Sequence, residues 1–160
     1  MSLTLAQRAT LKADILVNPD ALAAYELGDT QALADLYNAQ AAPAYWVWRP
    51  DVSRADIYHG TGPDGTTWNW TTYKNQGVSE QNAFIQMFMG DLVNFALANV
   101  RAGIGAIFGA VNAQTAHCLG VGRRLASRVE RLFGVGTGST ASPAVMSVIG
   151  PLSAGDVQGL

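Results

Sequence analysis

Cys118 is the only cysteine in the chain, and His59 and His117 are its only histidines. A lone thiol forms no intrachain disulfide and builds no thiolate-based structural zinc site, so apolar packing has to hold the fold. In that setting Cys118 is expected to be a small buried side chain. Charge is scarce as well: 14% of residues are charged, against about a quarter in ordinary globular chains. Ten basic residues against twelve acidic ones leave a net charge of −2, which is not the profile of a general nucleic-acid coat or a membrane-surface binder. No stretch reaches the roughly 18 apolar residues that a membrane-spanning helix needs. The nearest, Phe84 to Ala98, is interrupted by Asp91 and Asn94. Arg8, Lys12 and Asp14 break up the N-terminus, so no secretory leader is read there and a reducing, soluble compartment is expected.

What the chain does have is apolar and small residues. Hydrophobic residues make up 49% of its 160 positions, enough for one domain with a sizeable core. A surface this poor in charge is weakly protected against association, and burial in an oligomer is one way to accommodate it.

The local signals are mostly helical. Thr4 and Gln7 form a capping box for a helix over Leu5–Val17, with Leu11 and Ile15 one above the other, and Asn18-Pro19 ends it. Shorter helices are predicted over Asp20–Leu27 and, capped by Asp29, over Thr30–Tyr37. Pro43 to Pro50 reads as an extended aromatic segment, and Val52–Tyr58 as a short helix. His59 to Thr67 is loop by composition, so residues 51–77 are expected to form a long aromatic-rich excursion. Further helices are predicted over Glu80–Met89, capped by Ser79, from Asp91 through Leu97, and over Val100–Phe108, capped by Asn99. One long helix is predicted from Asn112 to Phe133. Gly134 to Pro143 cannot hold a helix. A short strand over Ala144–Ile149 and a final turn capped by Ser153 complete the chain. The fold class is therefore mostly α, a compact helical bundle with the loop excursion. The expected organisation is a helical domain over 1–134 and an extended C-terminal arm, or short strand, over 135–160.

The last long helix carries the most distinctive chemistry. At about 100° per residue, Arg124, Arg128 and Arg131 share a face with Arg123 beside them, and Cys118, Val121, Leu125, Val129 and Leu132 oppose them. Such a face is either a solvated flank or a dock for carboxylates or phosphates. Arginine at every basic position favours bidentate pairing across a protein interface. The aromatic group Trp46, Trp48, Trp68 and Trp70, with Tyr45 and Tyr73, packs a satellite core or supplies interface anchors. Gly-Val-Gly-Thr-Gly-Ser-Thr lacks the lysine of a phosphate loop and follows a helix instead of a strand, so a hinge or a strict turn is expected. His117 falls on the arginine side of its helix. Neither histidine has a carboxylate at helical or strand spacing, and no nucleophile elbow or paired-carboxylate cleft is evident. No catalytic residue, metal or cofactor is assigned. A small hydrolase or sugar-binding module using His59, Asp64 and the tryptophans stands as an alternative, and a DNA-contacting arginine helix as another.

Three segments carry a family likeness. They are Leu5-Ala6-Gln7 through Leu11-Lys12-Ala13-Asp14-Ile15 to Asn18-Pro19; Tyr37-Asn38 to Ala42-Pro43-Ala44 and on to Val47-Trp48-Arg49; and Arg124-Leu125-Ala126 through Glu130-Arg131-Leu132-Phe133, Gly136-Thr137-Gly138-Ser139-Thr140-Ala141 and Gly150-Pro151-Leu152-Ser153 to Asp156-Val157. In these the chain resembles a family of small virion proteins from tailed bacteriophages, with its middle unmatched. The resemblance implies a non-enzymatic neck protein, a head-to-tail adaptor, connector or head-completion subunit. Its partners would be copies of itself in a ring, the portal protein and a tail or tail-completion protein. DNA would pass through without sequence-specific binding, no membrane would be involved, and the protein would reside in the virion after assembly in the host cytoplasm. A head-surface, tail-tube or terminator component is the alternative within the same class. The interface residues expected on this reading are Arg123, Arg124, Arg128, Arg131, Trp46, Trp48, Trp68 and Trp70.

Overall fold

The computed structural model describes residues 3–148 and 150–160. Ile149, the last residue of the strand predicted from Ala144, lies outside the described residues, as do Met1 and Ser2. Helices account for 52% of the described residues and the strands are only two or three residues long, so the protein is mostly α. The chain divides into two compact units. Unit 1 combines residues 1–47 with residues 125–160, and unit 2 is the stretch 48–124 between them. The division expected at residue 134 is thereby redrawn: the C-terminal segment belongs with the N-terminal helices, and the second unit is an insertion.

In unit 1, α1 (Leu5–Val17) starts at the Thr4/Gln7 capping box, and Asn18 both ends α1 and caps α2 (Pro19–Glu26) through its side chain. Asp29 caps α3 (Thr30–Asn38). Leu11, Ile15, Leu33, Ala34 and Tyr37 turn inward and meet Val129, Phe133, Val148, Leu152 and Val157 in one core. The last three belong to the segment expected as an extended arm, which does not stand free. Asn38 fastens it at both backbone groups of Leu152: its amide donates to the carbonyl at 2.8 Å, and its oxygen accepts the N–H at 2.7 Å. Each aliphatic side chain taken out of water contributes about 1.5–3 kcal/mol, which offsets the entropy of ordering the segment.

In unit 2, two-residue strands β2 (Val52–Ser53) and β3 (Leu92–Val93) pair antiparallel, with Val52 opposite Val93. Around them lie α4 (Arg54–His59), α5 (Trp70–Lys74), α6 (Val78–Met87), α7 (Ala98–Phe108) and α8 (Ala113–Val121). The strand β1 (Trp46–Trp48) carries the chain into this unit, and β4 (Arg123–Leu125) carries it out. The expected excursion over 51–77 is instead part of the unit: Val52, Ile57 and Trp68 are buried with Phe84, Phe88, Phe95 and Phe108. The chain after Asp91 forms β3, not a helix. Gly77 and Leu97 occupy the N-cap positions of α6 and α7, where Ser79 and Asn99 were expected.

The helix predicted from Asn112 to Phe133 is the main correction. Asn112 caps it as expected, but it ends at Val121. Gly122 follows, and any side chain there would overlap the Phe95 ring. Residues 123–125 are then extended. A new helix, α9 (Arg128–Phe133), begins at a capping box in which Ser127 N–H donates to Glu130 Oε2 at 3.0 Å. That Ser-x-x-Glu pattern was present in the sequence as a start signal, and the longer apolar period masked it.

After α9, β5 (Gly134–Val135) pairs with β6 (Val145–Met146), and Ser153 caps the closing turn α10 (Ala154–Val157). The glycine run between β5 and β6 is a strict turn around Tyr45. Tyr45 OH donates to Gly136 O at 3.0 Å, and Trp46 N–H donates to Gly138 O at 2.7 Å.

Candidate functional site: an arginine-lined cleft

Breaking the long helix also breaks the predicted arginine face. Arg123 and Arg124 lie in β4, half-buried; the hydrogen bond from the Thr66 hydroxyl holds the Asp64 carboxyl below its usual range, and the charge of Arg123 adds a smaller push in the same direction. Arg128 and Arg131 lie on α9, in unit 1. The four do not form one helical stripe.

Arg128 and Arg131 nevertheless meet. They line an open cleft of about 380 Å³ together with Leu132, Asp14 from α1 and Ala42 from the segment after α3. Arg131 Nη1 donates to the carbonyls of Ala42 and Pro43, at 2.8 and 3.4 Å, which fixes its direction. The Arg128 guanidinium lies over the Tyr37 ring, 5.3 Å from its centre. Among the described residues it has no hydrogen-bond acceptor. Asp14 is already engaged, because Tyr37 OH donates to its Oδ2 at 2.5 Å. Burial pushes the Tyr37 phenol up, and the hydrogen bond and charge of Asp14 push it further. Arg128 opposes them. Two guanidiniums against one occupied carboxylate leave the cleft electropositive, with the donor geometry that suits a carboxylate or phosphate.

The tryptophans separate. Trp48 and Trp68 are core residues at 8% exposure each, so they are not interface anchors as expected. Trp68 packs on Tyr58, Phe84 and Phe108, and Trp48 lies under the Arg101 guanidinium, 4.6 Å from its ring centre. Both rings join a core already rich in aromatic and aliphatic side chains, among them Phe84, Phe95, Ile104 and Phe108, where each buries a large apolar area. Trp46 is half-buried, and Trp70 is 56% exposed.

His117 is fully buried, with its ring nitrogens 3.1 Å from Thr66 O and 2.8 Å from Ile57 O. It ties the loop to α4. Cys118 is buried beside it, and burial pushes its thiol up to about 12. His59 is exposed at the end of α4. Among the described residues, no group of three or more His, Cys, Asp or Glu side chains could hold a metal ion, and no helix is long and apolar enough to cross a membrane. The Arg128 cleft escaped sequence reasoning because Asp14, Ala42 and Arg128 are far apart in the chain, and only the closing of unit 1 joins them.

No known protein family, curated protein or solved structure matches the chain.

Proposed function

We propose that the chain is a non-enzymatic virion protein of a tailed phage, a ring subunit at the neck that joins the portal to the tail. The observation that carries the proposal is the Arg128 guanidinium, which lines the cleft over the Tyr37 ring and has no hydrogen-bond acceptor among the described residues. A carboxylate from a neighbouring subunit would complete it. The phage resemblance adds the setting. Its three segments run through residues 5–19, 37–49 and 124–157, which nearly trace unit 1, whereas the unmatched middle is nearly all of unit 2. On this reading unit 1 is the assembling body, and unit 2 is an insertion that presents its own surface.

Charge reversal tests the pairing. Arg128→Glu would set like charges against the neighbour's acid and against Asp14, and assembly should fail. The neutral Arg128→Gln should weaken assembly and make it less sensitive to salt. Circular dichroism of both variants separates loss of assembly from loss of fold. Sedimentation of the purified chain with portal-bearing heads, followed by electron microscopy, reads the outcome. Normal rings at one vertex from folded Arg128→Glu would refute the role of the cleft. Hundreds of copies over the head or along the tail would refute the neck position.

A further inference from the structure

Unit 2 has a second cleft, and its chemistry differs from the first. Pairing of β2 with β3 sets the start of α4 beside the turn that ends at Asp91. Between them opens a cleft of about 500 Å³, within the range of small-ligand sites. Its apolar lining is Tyr58, Phe88 and Ile85, and its polar groups include Arg54, His59 and Asp91.

Three features make this more than a surface dent. First, Tyr58 is held rigidly, packed against Trp68 at 4.9 Å and the exposed Trp70 at 4.8 Å between ring centres. An aromatic ring fixed in this way offers a ready stacking surface. Second, the side chains of Arg54, His59 and Asp91 make no hydrogen bond or ion pair with the described residues, so donors and an acceptor remain available around one opening. Third, Asp91 has φ +65, and it is the only non-glycine residue at positive φ among those described. Glycine adopts that conformation without steric cost, yet the position holds a carboxylate.

The charges narrow the ligand. Arg54 and Asp91 cancel, so neither a strong anion nor a strong cation is favoured. An aromatic floor with both donors and acceptors at the rim suits a ligand that is apolar on its ring faces and hydroxylated at its edges. We propose that this cleft binds a neutral saccharide, with a sugar ring against Tyr58 and hydroxyl groups donating to Asp91 and accepting from Arg54 and His59. The site is independent of the neck assignment and stands or falls separately from it.

The test is a ¹H–¹⁵N NMR titration of the full chain with glucose, galactose, mannose and N-acetylglucosamine, and with acetate and phosphate as charged controls. At least one sugar should give saturable shifts confined to residues 53–59 and 85–91, with Kd on the order of 1 mM. Asp91→Gly relieves the backbone and removes the carboxylate, so it should raise Tm while weakening that sugar at least about tenfold. Asp91→Asn, which keeps an acceptor, should fall between. Absence of sugar-induced shifts in the cleft would overturn the proposal. So would unchanged affinity in Asp91→Gly, or tighter binding of acetate or phosphate at these residues.

Discussion

Replacing Gly138 with alanine should destabilise unit 1 by about 2–5 kcal/mol. Two costs add. Gly138 has φ +65, where a β-carbon costs about 1–2 kcal/mol. That carbon would also overlap the Tyr45 ring, which cannot withdraw without losing its 3.0 Å hydrogen bond to Gly136 O. Overpacking of this kind costs about 1–3 kcal/mol. Two other glycines separate the terms. Gly28 has φ +69 and open space around it, so Gly28→Ala reports the backbone cost alone, about 1–2 kcal/mol. Gly122 has φ −69 and faces the Phe95 ring, so Gly122→Ala reports overlap alone, about 1–3 kcal/mol. Urea denaturation followed by far-ultraviolet circular dichroism gives all three values, with an unchanged m confirming that native stability moved. If Gly138→Ala costs no more than Gly28→Ala, the glycine run does not clasp Tyr45 and the strict-turn account is wrong.

Two further outcomes follow from the packing. Asn38→Ala removes both hydrogen bonds to Leu152 and should cost about 2–3 kcal/mol, with faster hydrogen exchange over residues 150–160; unaltered exchange there would refute the anchoring role. Cys118 should resist a disulfide reagent at pH 8 in the folded protein and react promptly in denaturant, because its thiol is buried and pushed up from 9.0 to about 12. Raising a thiol's folded value means that the unfolded chain loses its proton first. Its contribution to stability is therefore intact below pH 9 and is lost between about 9 and 12. Cys118→Ser should flatten that part of the pH–stability curve.

Local signals carried much of the helical layout. The Thr4/Gln7 box, Asp29, Asn112 and Ser153 each cap the helix they precede, because a cap needs only a side chain and an amide two or three residues away. Burial of Leu11, Ile15 and Cys118 follows from residue type and period. Periodicity alone misled at residues 112–133. Apolar spacing continues through the break, but the Gly122 carbonyl, which a continuing helix would bond to the Ala126 N–H, accepts instead from Arg49 N–H at 2.8 Å, a contact from another part of the chain.

The candidate sites divide along the same line. Arginine-only chemistry was visible in the sequence, as was the pairing of Arg128 with Arg131, but the separation of Arg123 and Arg124 from them was not. Only the folding of α1 and the 39–43 segment onto α9 places Arg128 and Arg131 in one cleft and leaves Arg123 and Arg124 elsewhere. Tryptophan suits a core and an interface equally well, so composition could not sort Trp68 from Trp70. Packing sorted them, by enclosing one ring among Tyr58, Phe84 and Phe108 and leaving most of the other exposed. By itself, then, the sequence determined helix caps, apolar faces and the scarcity of charge, all set by residues a few positions apart. Tertiary structure alone decided where the long helix breaks, that the C-terminal segment is core and that residues 48–124 are an insertion, because each depends on contacts between residues distant in the chain.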